Sequence, residues 1–192
     1  MTIGDAKAEL RAFVRLTRAA RPAGERSEAE RGFTDVLALL ADQFAWSRIA
    51  AFIPTLSEPP IARGVDELVR LGVTVVVPVS SPSGSLDWVN LDPGAINRTT
   101  PDAMNMPIPA SGERVPVGVL DAVLVPAAAV DRDGNRLGWG KGYYDRFLET
   151  VEGSPLVIAV VFDSDIVASV PTESHDARVG AIATESEVAF IQ

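Results

Sequence analysis

A chain of 192 residues, 47% of them hydrophobic, is long enough to bury one substantial core and too apolar to be disordered. It has no cysteine, which excludes disulfides, thiolate metal sites and a cysteine nucleophile. A formal net charge of −9, from 26 acids and 17 bases, argues against general nucleic-acid binding and means that a site for an anion must gather its bases locally.

The first ten residues carry Asp5, Lys7 and Glu9 without an apolar run, so no secretory signal is expected there. No stretch of about 18 apolar residues predicts a membrane span, and the expected setting is the cytoplasm. Residues 5–20 are predicted helical, with Leu10, Phe13, Val14 and Leu16 as the apolar stripe and Lys7, Arg11, Arg15 and Arg18 on other faces. Arg21-Pro22-Ala23-Gly24 breaks the pattern. Ser27 with Glu30 three residues on predicts a capping box for a second helix ending near Phe44. Residues 46–54 predict a short buried strand and residues 61–71 a helix closed by Gly72. Residues 73–78 are β-branched and predict the second strand. Trp46 and Trp88 read as packing residues.

Residues 80–117 are rich in Ser, Pro, Gly and Asn, with a short strand expected at 86–89; such a stretch fits functional loops as well as a linker. Residues 120–126 predict a third strand, 131–135 a turn, 143–151 a helix, 155–162 a fourth strand and 181–184 a weaker fifth. The strands are apolar throughout and helices lie between several of them. That pattern predicts a single α/β domain over residues 1–192: a mostly parallel central sheet with helices on both faces, a Rossmann-like three-layer arrangement. Ligands of such sheets sit at the carboxyl ends of the strands.

Between the third strand and its helix lies Arg136-Leu137-Gly138-Trp139-Gly140-Lys141-Gly142-Tyr143-Tyr144-Asp145-Arg146. Glycines let backbone N–H groups approach phosphate oxygens. Arg136, Lys141 and Arg146 add positive charge, and Asp145 offers a hard oxygen for Mg²⁺. The loop is neither a Walker A loop nor a dinucleotide fingerprint. Read alone, a glycine triplet favours a tight turn; its basic, aromatic and acidic neighbours favour a nucleotide site.

This segment resembles the signature of the 5-formyltetrahydrofolate cyclo-ligase family. Other segments resemble the family in order along the chain: Lys7-Ala8-Glu9-Leu10-Arg11, Phe52-Ile53-Pro54 with Glu58, residues 120–126 with Asp131 and Gly134, Val170-Pro171 with His175-Asp176, and Ala183-Thr184-Glu185. The resemblance implies an ATP- and Mg²⁺-dependent ligase that closes 5-formyltetrahydrofolate to 5,10-methenyltetrahydrofolate through phosphorylation of the formyl oxygen, releasing ADP and phosphate. It implies ATP contacts from Lys7, Arg11 and the segment Arg136, Leu137, Gly138, Trp139, Gly140, Lys141, Gly142, Tyr143 and Tyr144. It implies folate contacts from Ile53, Glu58 and Trp139, Gly140, Lys141, Gly142 and Tyr143, catalytic roles for Lys141, Arg146 and Tyr143, and Mg²⁺ at Asp145 and Asp176. The partner is then a reduced folate, with no nucleic acid or membrane, and the protein a monomer or homodimer.

Each residue also has an ordinary reading. Lys7 and Arg11 fit a solvated helix face, Glu58 a loop acid, Asp145 a helix-terminus acid, Asp176 a turn former, Asp121 a strand-end hydrogen bonder, and His175, the only histidine, a structural residue. Pro59, Pro60 and Ile61, Ile108 in the run 106–109, and Gly180 depart from the family pattern, mostly on the folate side. A divergent paralogue acting on another substrate, or a non-catalytic nucleotide- or folate-binding module, is the alternative.

Overall fold

The protein is described by a computed structural model covering residues 2–81, 85–102, 104–173 and 176–191. In chain order the helices are α1 (Ile3–Ala19), α2 (Ala23–Gln43), α3 (Ala62–Arg70) and α4 (Tyr143–Leu148). The strands are β1 (Arg48–Ala50), β2 (Thr74–Ser80), β3 (Leu86–Asn90), β4 (Thr99–Pro101), β5 (Pro107–Pro109), β6 (Arg114–Val115), β7 (Ala122–Pro126), β8 (Ala129–Asp131), β9 (Arg136–Leu137), β10 (Leu156–Val160), β11 (Ile166–Val167), β12 (Ala181–Ala183) and β13 (Val188–Phe190).

The five strands predicted from apolar runs form the parallel centre of the main sheet, in the order β12-β10-β7-β1-β2. Antiparallel strands close it at both edges, β13 beside β12 and β3 then β6 beside β2. Side chains alternate between two cores because successive strand residues point to opposite faces. Ile49, Val75, Val77, Leu124, Ile158 and Val160 pack with Phe33, Leu37 and Leu40 of α2 and Val65 and Leu68 of α3. Ala50, Val76, Val123, Val125 and Ala159 pack with Phe147 of α4. The expected mostly parallel sheet with helices on both faces is therefore the observed one. Trp46 and Trp88 are buried packing residues, Trp88 with its ring 4.6 Å from that of Phe147.

Two helix expectations are corrected. In α1 half of the expected apolar stripe is buried: Val14 is buried and Leu10 packs against its cluster, whereas Phe13 and Leu16 are exposed and Lys7 and Arg18 are buried in their place. Ion pairing lets the basic side chains turn inward, as described below. In α2 the helix begins at Ala23, just after Pro22, and Ser27 lies inside it with its hydroxyl on the Ala23 carbonyl. No capping box forms there, because the fixed φ of Pro22 already starts the helix. β13 is apolar but short and only partly buried at the sheet edge, and was not expected.

Asp121 is a strand-end hydrogen bonder: its Oδ2 accepts from the N–H groups of Ser47 (2.6 Å) and Arg48 (2.8 Å), which ties β7 to the entry of β1. Asp131 plays a deeper version of that role. It is buried at the end of β8 and accepts from the N–H groups of Asp133 (3.1 Å), Asn135 (3.0 Å) and Val170 (2.9 Å) and from Asn135 Nδ2 (2.9 Å). These bonds shape the β8–β9 turn that delivers the glycine loop.

Burial alone would raise the Asp131 carboxyl, but its four donors hold it below the ordinary carboxylate range. Because the native pKa is depressed, the stabilisation is complete above about pH 4 and is lost as pH falls through the lowered native value. Asp131→Ala is expected to cost about 3 kcal/mol, since four donors lose one charged acceptor. Urea unfolding at neutral pH should show a lower midpoint, and the variant's deficit should shrink in acid. An unchanged midpoint would rule this anchor out.

Candidate functional site

The parallel strands run outward in opposite directions from β1: the chain passes from β1 to β2 on one side and returns to β7 on the other. At such a switch point the loops leaving neighbouring strands part and leave a crevice at the carboxyl ends. A cavity of about 570 Å³ occupies that place. Its wall includes Phe52 and Ile53 after β1, Pro78 and Ser80 of β2, Pro126 of β7, and Thr55, Ser57 and Glu58 from the loop after β1. Leu86, Met104, Met106 and Pro107, from the irregular stretch, close another side.

The glycine segment supplies a further part of the lining through Arg136, Gly138, Trp139, Lys141, Gly142, Tyr143, Tyr144 and Asp145. Gly140 and Gly142 have φ of +92° and +67°, which glycine adopts without the strain a Cβ brings. A Cβ on Gly142 would also meet Arg146 Nη1 at 2.8 Å. No described residue accepts a hydrogen bond from the backbone N–H groups of residues 138–142. Unpaired N–H groups beside a cavity suit an anion with several oxygens.

Three polar side-chain atoms in this wall are buried without a hydrogen-bond partner: Arg136 Nε, Trp139 Nε1 and the Tyr144 hydroxyl. Burial, reinforced by the charge of Glu58 and opposed by Arg136, holds the Tyr144 phenol far above its ordinary range, so it remains a donor. Glu58 is 3% exposed, and its Oε2 accepts from the Thr55 N–H (2.8 Å) and Thr55 Oγ1 (2.9 Å). It thus closes its own loop, as a loop acid does, and also lines the cavity.

The basic residues divide into paired and unpaired. Arg136 is buried and donates to Asp145 Oδ1. Lys7 Nζ lies 2.6 Å from Asp176 Oδ2 and 2.8 Å from Glu173 Oε2. Burial is the largest influence on Lys7 and lowers its pKa, yet the two carboxylates outweigh it and the net shift is upward. Arg11 Nε donates to the Gly138 carbonyl at 2.7 Å and so braces the loop from behind. The Lys141 side chain makes no hydrogen bond, ion pair or ring contact with any described residue, although Lys141 lines the cavity.

Ile53, Glu58, Arg136, Gly138, Trp139, Lys141, Gly142, Tyr143, Tyr144 and Asp145 therefore share one cavity. Lys7, Arg11, Leu137, Gly140, Asp176 and Arg146 do not line it. The side chain of Leu137 is buried in an apolar cluster with Val14, Ala128 and Val170, so only its backbone is available to a ligand. Arg146 is exposed and donates to the Lys141 carbonyl at 3.1 Å, bracing the loop rather than facing the cavity. The expected Mg²⁺ pair is divided: Asp145 is on the wall, whereas Asp176 Oδ2 accepts from Lys7 and the Glu173 N–H. His175 lies outside the described residues.

Arg15, Arg18 and Asp165 belong to the site but were not singled out from the sequence. Arg18 is 6% exposed, lines the cavity, and donates to Asp165 Oδ2 (2.9 Å) and to the carbonyls of Ala127 (2.8 Å) and Ser57 (3.3 Å). Its guanidinium and that of Arg15 each lie 5.3 Å from the centre of a Trp139 ring. A signal was present: Lys7, Arg11, Val14 and Arg18 recur at one-face helical spacing.

Comparison with known proteins gives one consistent result. A model described as the 5-formyltetrahydrofolate cyclo-ligase family matches residues 3–185. A Mycolicibacterium smegmatis protein named 5-formyltetrahydrofolate cyclo-ligase is 32% identical over 186 residues, which cover 93% of each chain. A Mus musculus protein of the same name is 28% identical over 98% of each chain. The NMR structure of Aquifex aeolicus 5,10-methenyltetrahydrofolate synthetase superposes with a TM-score of 0.80 at 26% identity, covering 97% of this chain and 93% of that one. A Mycoplasma pneumoniae synthetase, at 19% identity and a TM-score of 0.73, shares the fold.

Proposed function

The chain belongs to the 5-formyltetrahydrofolate cyclo-ligase family, and we propose that its switch-point cavity closes 5-formyltetrahydrofolate to 5,10-methenyltetrahydrofolate at the expense of ATP. The observation that carries this reading is that two unlike segments line one cavity: a glycine loop with unpaired N–H groups and Lys141, and a loop presenting buried Glu58. The first suits phosphate. The second suits a pterin, whose amino and ring N–H groups match a carboxylate acceptor.

The chemistry needs a leaving group, because the formyl oxygen of an amide departs poorly. The formyl oxygen attacks the γ-phosphorus of ATP and ADP leaves. N10 then attacks the formyl carbon, loses its proton, and the C–O bond breaks to release phosphate. Two C–N bonds thus share the former formyl carbon. The protein's part is to position both substrates and balance charge. Lys141 is placed to meet the transferring phosphoryl group, with loop N–H groups on its oxygens. Tyr143 and Trp139 lie where the two substrates would meet. Arg11 supports the loop from behind, and Lys7 is held by Glu173 and Asp176; two of the three Lys7 donors are already committed, leaving one for phosphate.

Among the described residues no group of three or more His, Asp or Glu side chains forms a metal cage. Mg²⁺ needs none: it takes one or two carboxylates and fills its shell with phosphate oxygens and water. Asp145 fits that use, because its Oδ2 takes no hydrogen bond among the described residues. Mg²⁺ held there would neutralise charge on the phosphates.

Most departures from the family pattern lie away from the cavity, whereas Met106 and Pro107 of the departing run 106–109 line it. Pro59, Pro60, Ile61, Ile108 and Gly180 do not line the cavity, and Ile61 is fully buried in the main core. Purified protein mixed with 5-formyltetrahydrofolate, ATP and Mg²⁺ should develop the methenyl chromophore with one ADP per product. ATP binding without chromophore would point instead to a paralogue with another substrate.

A further inference from the structure

Apart from Met1 the chain has two methionines, Met104 and Met106, and both line the cavity. They are 37% and 39% exposed, and among the described residues they belong to none of the three apolar clusters of the fold. With Leu86 and Pro107 they form an apolar part of the lining. Side chains that pack in no core add little to stability, yet these two border the space a ligand would fill.

The turn between β4 and β5 fixes where they sit. Asp102 Oδ1 accepts from the N–H groups of Met104 (2.8 Å) and Met106 (2.9 Å), and the Asp102 N–H donates to the Met106 carbonyl at 2.9 Å. Asn105, between the two methionines, takes the left-handed φ of +59° that asparagine tolerates better than most residues. Asp102 Oδ2 accepts from the Ser80 N–H at 3.1 Å, which ties the turn to the carboxyl end of β2.

Sulfur chemistry sets the two methionines apart from Leu86 and Pro107. The chain has no cysteine, so thioethers are its only sulfur groups. A thioether is polarisable and open to oxidation, which turns an apolar side chain into a polar, chiral sulfoxide.

We propose that Met104 and Met106 are a modification site for hydroperoxides, at which oxidation weakens the hold of the cavity on its reduced-folate substrate. The assignment rests on the reading that this cavity holds the folate. A sulfur lone pair attacks one peroxide oxygen: an S–O bond forms, the O–O bond breaks, and sulfur gives up two electrons. The transferred hydroxyl loses its proton to the departing hydroxide, which leaves as water. Each sulfoxide oxygen then stands in an apolar part of the lining, and a ligand seated there must strip it of water. Because neither side chain packs in a core, the change falls on binding and not on stability. Thiol-dependent sulfoxide reductases return the sulfoxide to the thioether, which makes the modification reversible.

The test treats the whole protein with hydrogen peroxide, removes the peroxide, and locates sulfoxides by peptide mass spectrometry. Both Met104 and Met106 should convert. Calorimetry with 5-formyltetrahydrofolate should then show affinity about tenfold weaker, the scale of burying one unpaired polar group, with the thermal midpoint unchanged. Methionine sulfoxide reductases of both epimer specificities, supplied with a dithiol, should restore the affinity. In the double variant Met104→Leu/Met106→Leu, affinity should be the same before and after peroxide. The proposal is overturned if the methionines resist oxidation, or if both sulfoxides form and affinity holds. It is equally overturned if peroxide weakens the leucine variant as much, which places the target elsewhere, or if the midpoint falls with affinity, which makes the effect unfolding damage. If the untreated protein binds no folate, the cyclo-ligase reading fails, and an anilinonaphthalene sulfonate dye probes the apolar lining instead. Dye binding weakened by peroxide in the unaltered protein but not in the leucine variant supports the site; any other result refutes it.

Discussion

Lys141→Ala is expected to lower turnover about 100-fold or more while leaving the fold intact. The magnitude is that of removing one preorganised donor from a site where charge develops in the transition state. The specificity of the expectation comes from the other cations. Arg136, Lys7 and Arg18 are each committed to a carboxylate, and Arg11 to the Gly138 carbonyl. Lys141 lines the cavity and its side chain is engaged by no described residue. Its removal therefore breaks no native contact and should change stability by less than about 0.5 kcal/mol, as for other surface substitutions away from special features.

If Lys141 acts on the transferring phosphoryl group, kcat and kcat/KM should fall together, because the lost interaction belongs to the transition state. A raised KM for ATP with kcat unchanged would make it a simple binding residue. Unchanged kinetics would remove it from the site. Lys141→Arg is not a neutral control: a planar guanidinium cannot occupy the position of a compact ammonium without moving the loop.

How much of this was readable beforehand depends on which forces wrote it. The parallel strands announce themselves because a strand buried on both faces must be apolar at every position, as in 122–125 and 158–160. The glycine loop is legible because backbone geometry restricts the residue at Gly140 and Gly142. The orientation of α1 is different. Its buried face carries Lys7 and Arg18, whose burial depends on Asp176 and Asp165, more than a hundred residues away in sequence. Local hydrophobicity points to Phe13 and Leu16, and tertiary ion pairing overrides it. The edge strand β13 and the two-stranded β4–β5 hairpin owe their form to neighbours rather than to composition. Glu58 was visible as a candidate, but its burial and its grip by Thr55 were not.

Arg18→Met should destabilise the protein by about 3–5 kcal/mol, the usual cost of removing one partner from a buried pair. The side chains of Arg18 and Asp165 are each 1% exposed, so the loss leaves a buried carboxylate with no ion-pair partner and only the Phe162 N–H donating to it among the described residues. Burial already raises the Asp165 carboxyl, with Arg18 the strongest influence opposing it. Without Arg18 the native pKa rises further above its unfolded value. The penalty is then full at neutral pH and relieved as pH falls through the raised pKa and the group takes up a proton. The stability gap between the variant and the unaltered protein should accordingly narrow on acidification. Adding Asp165→Asn should recover most of the loss, because the amide oxygen still accepts from the Phe162 N–H, a bond now 3.0 Å long, and no charge remains buried. That double variant also separates structure from function. Arg18 touches the Ser57 carbonyl on one wall and the Trp139 ring on the other. If it positions the two walls, the double variant will be stable but show a raised folate KM. Recovery of both stability and KM would reduce Arg18 to a packing residue.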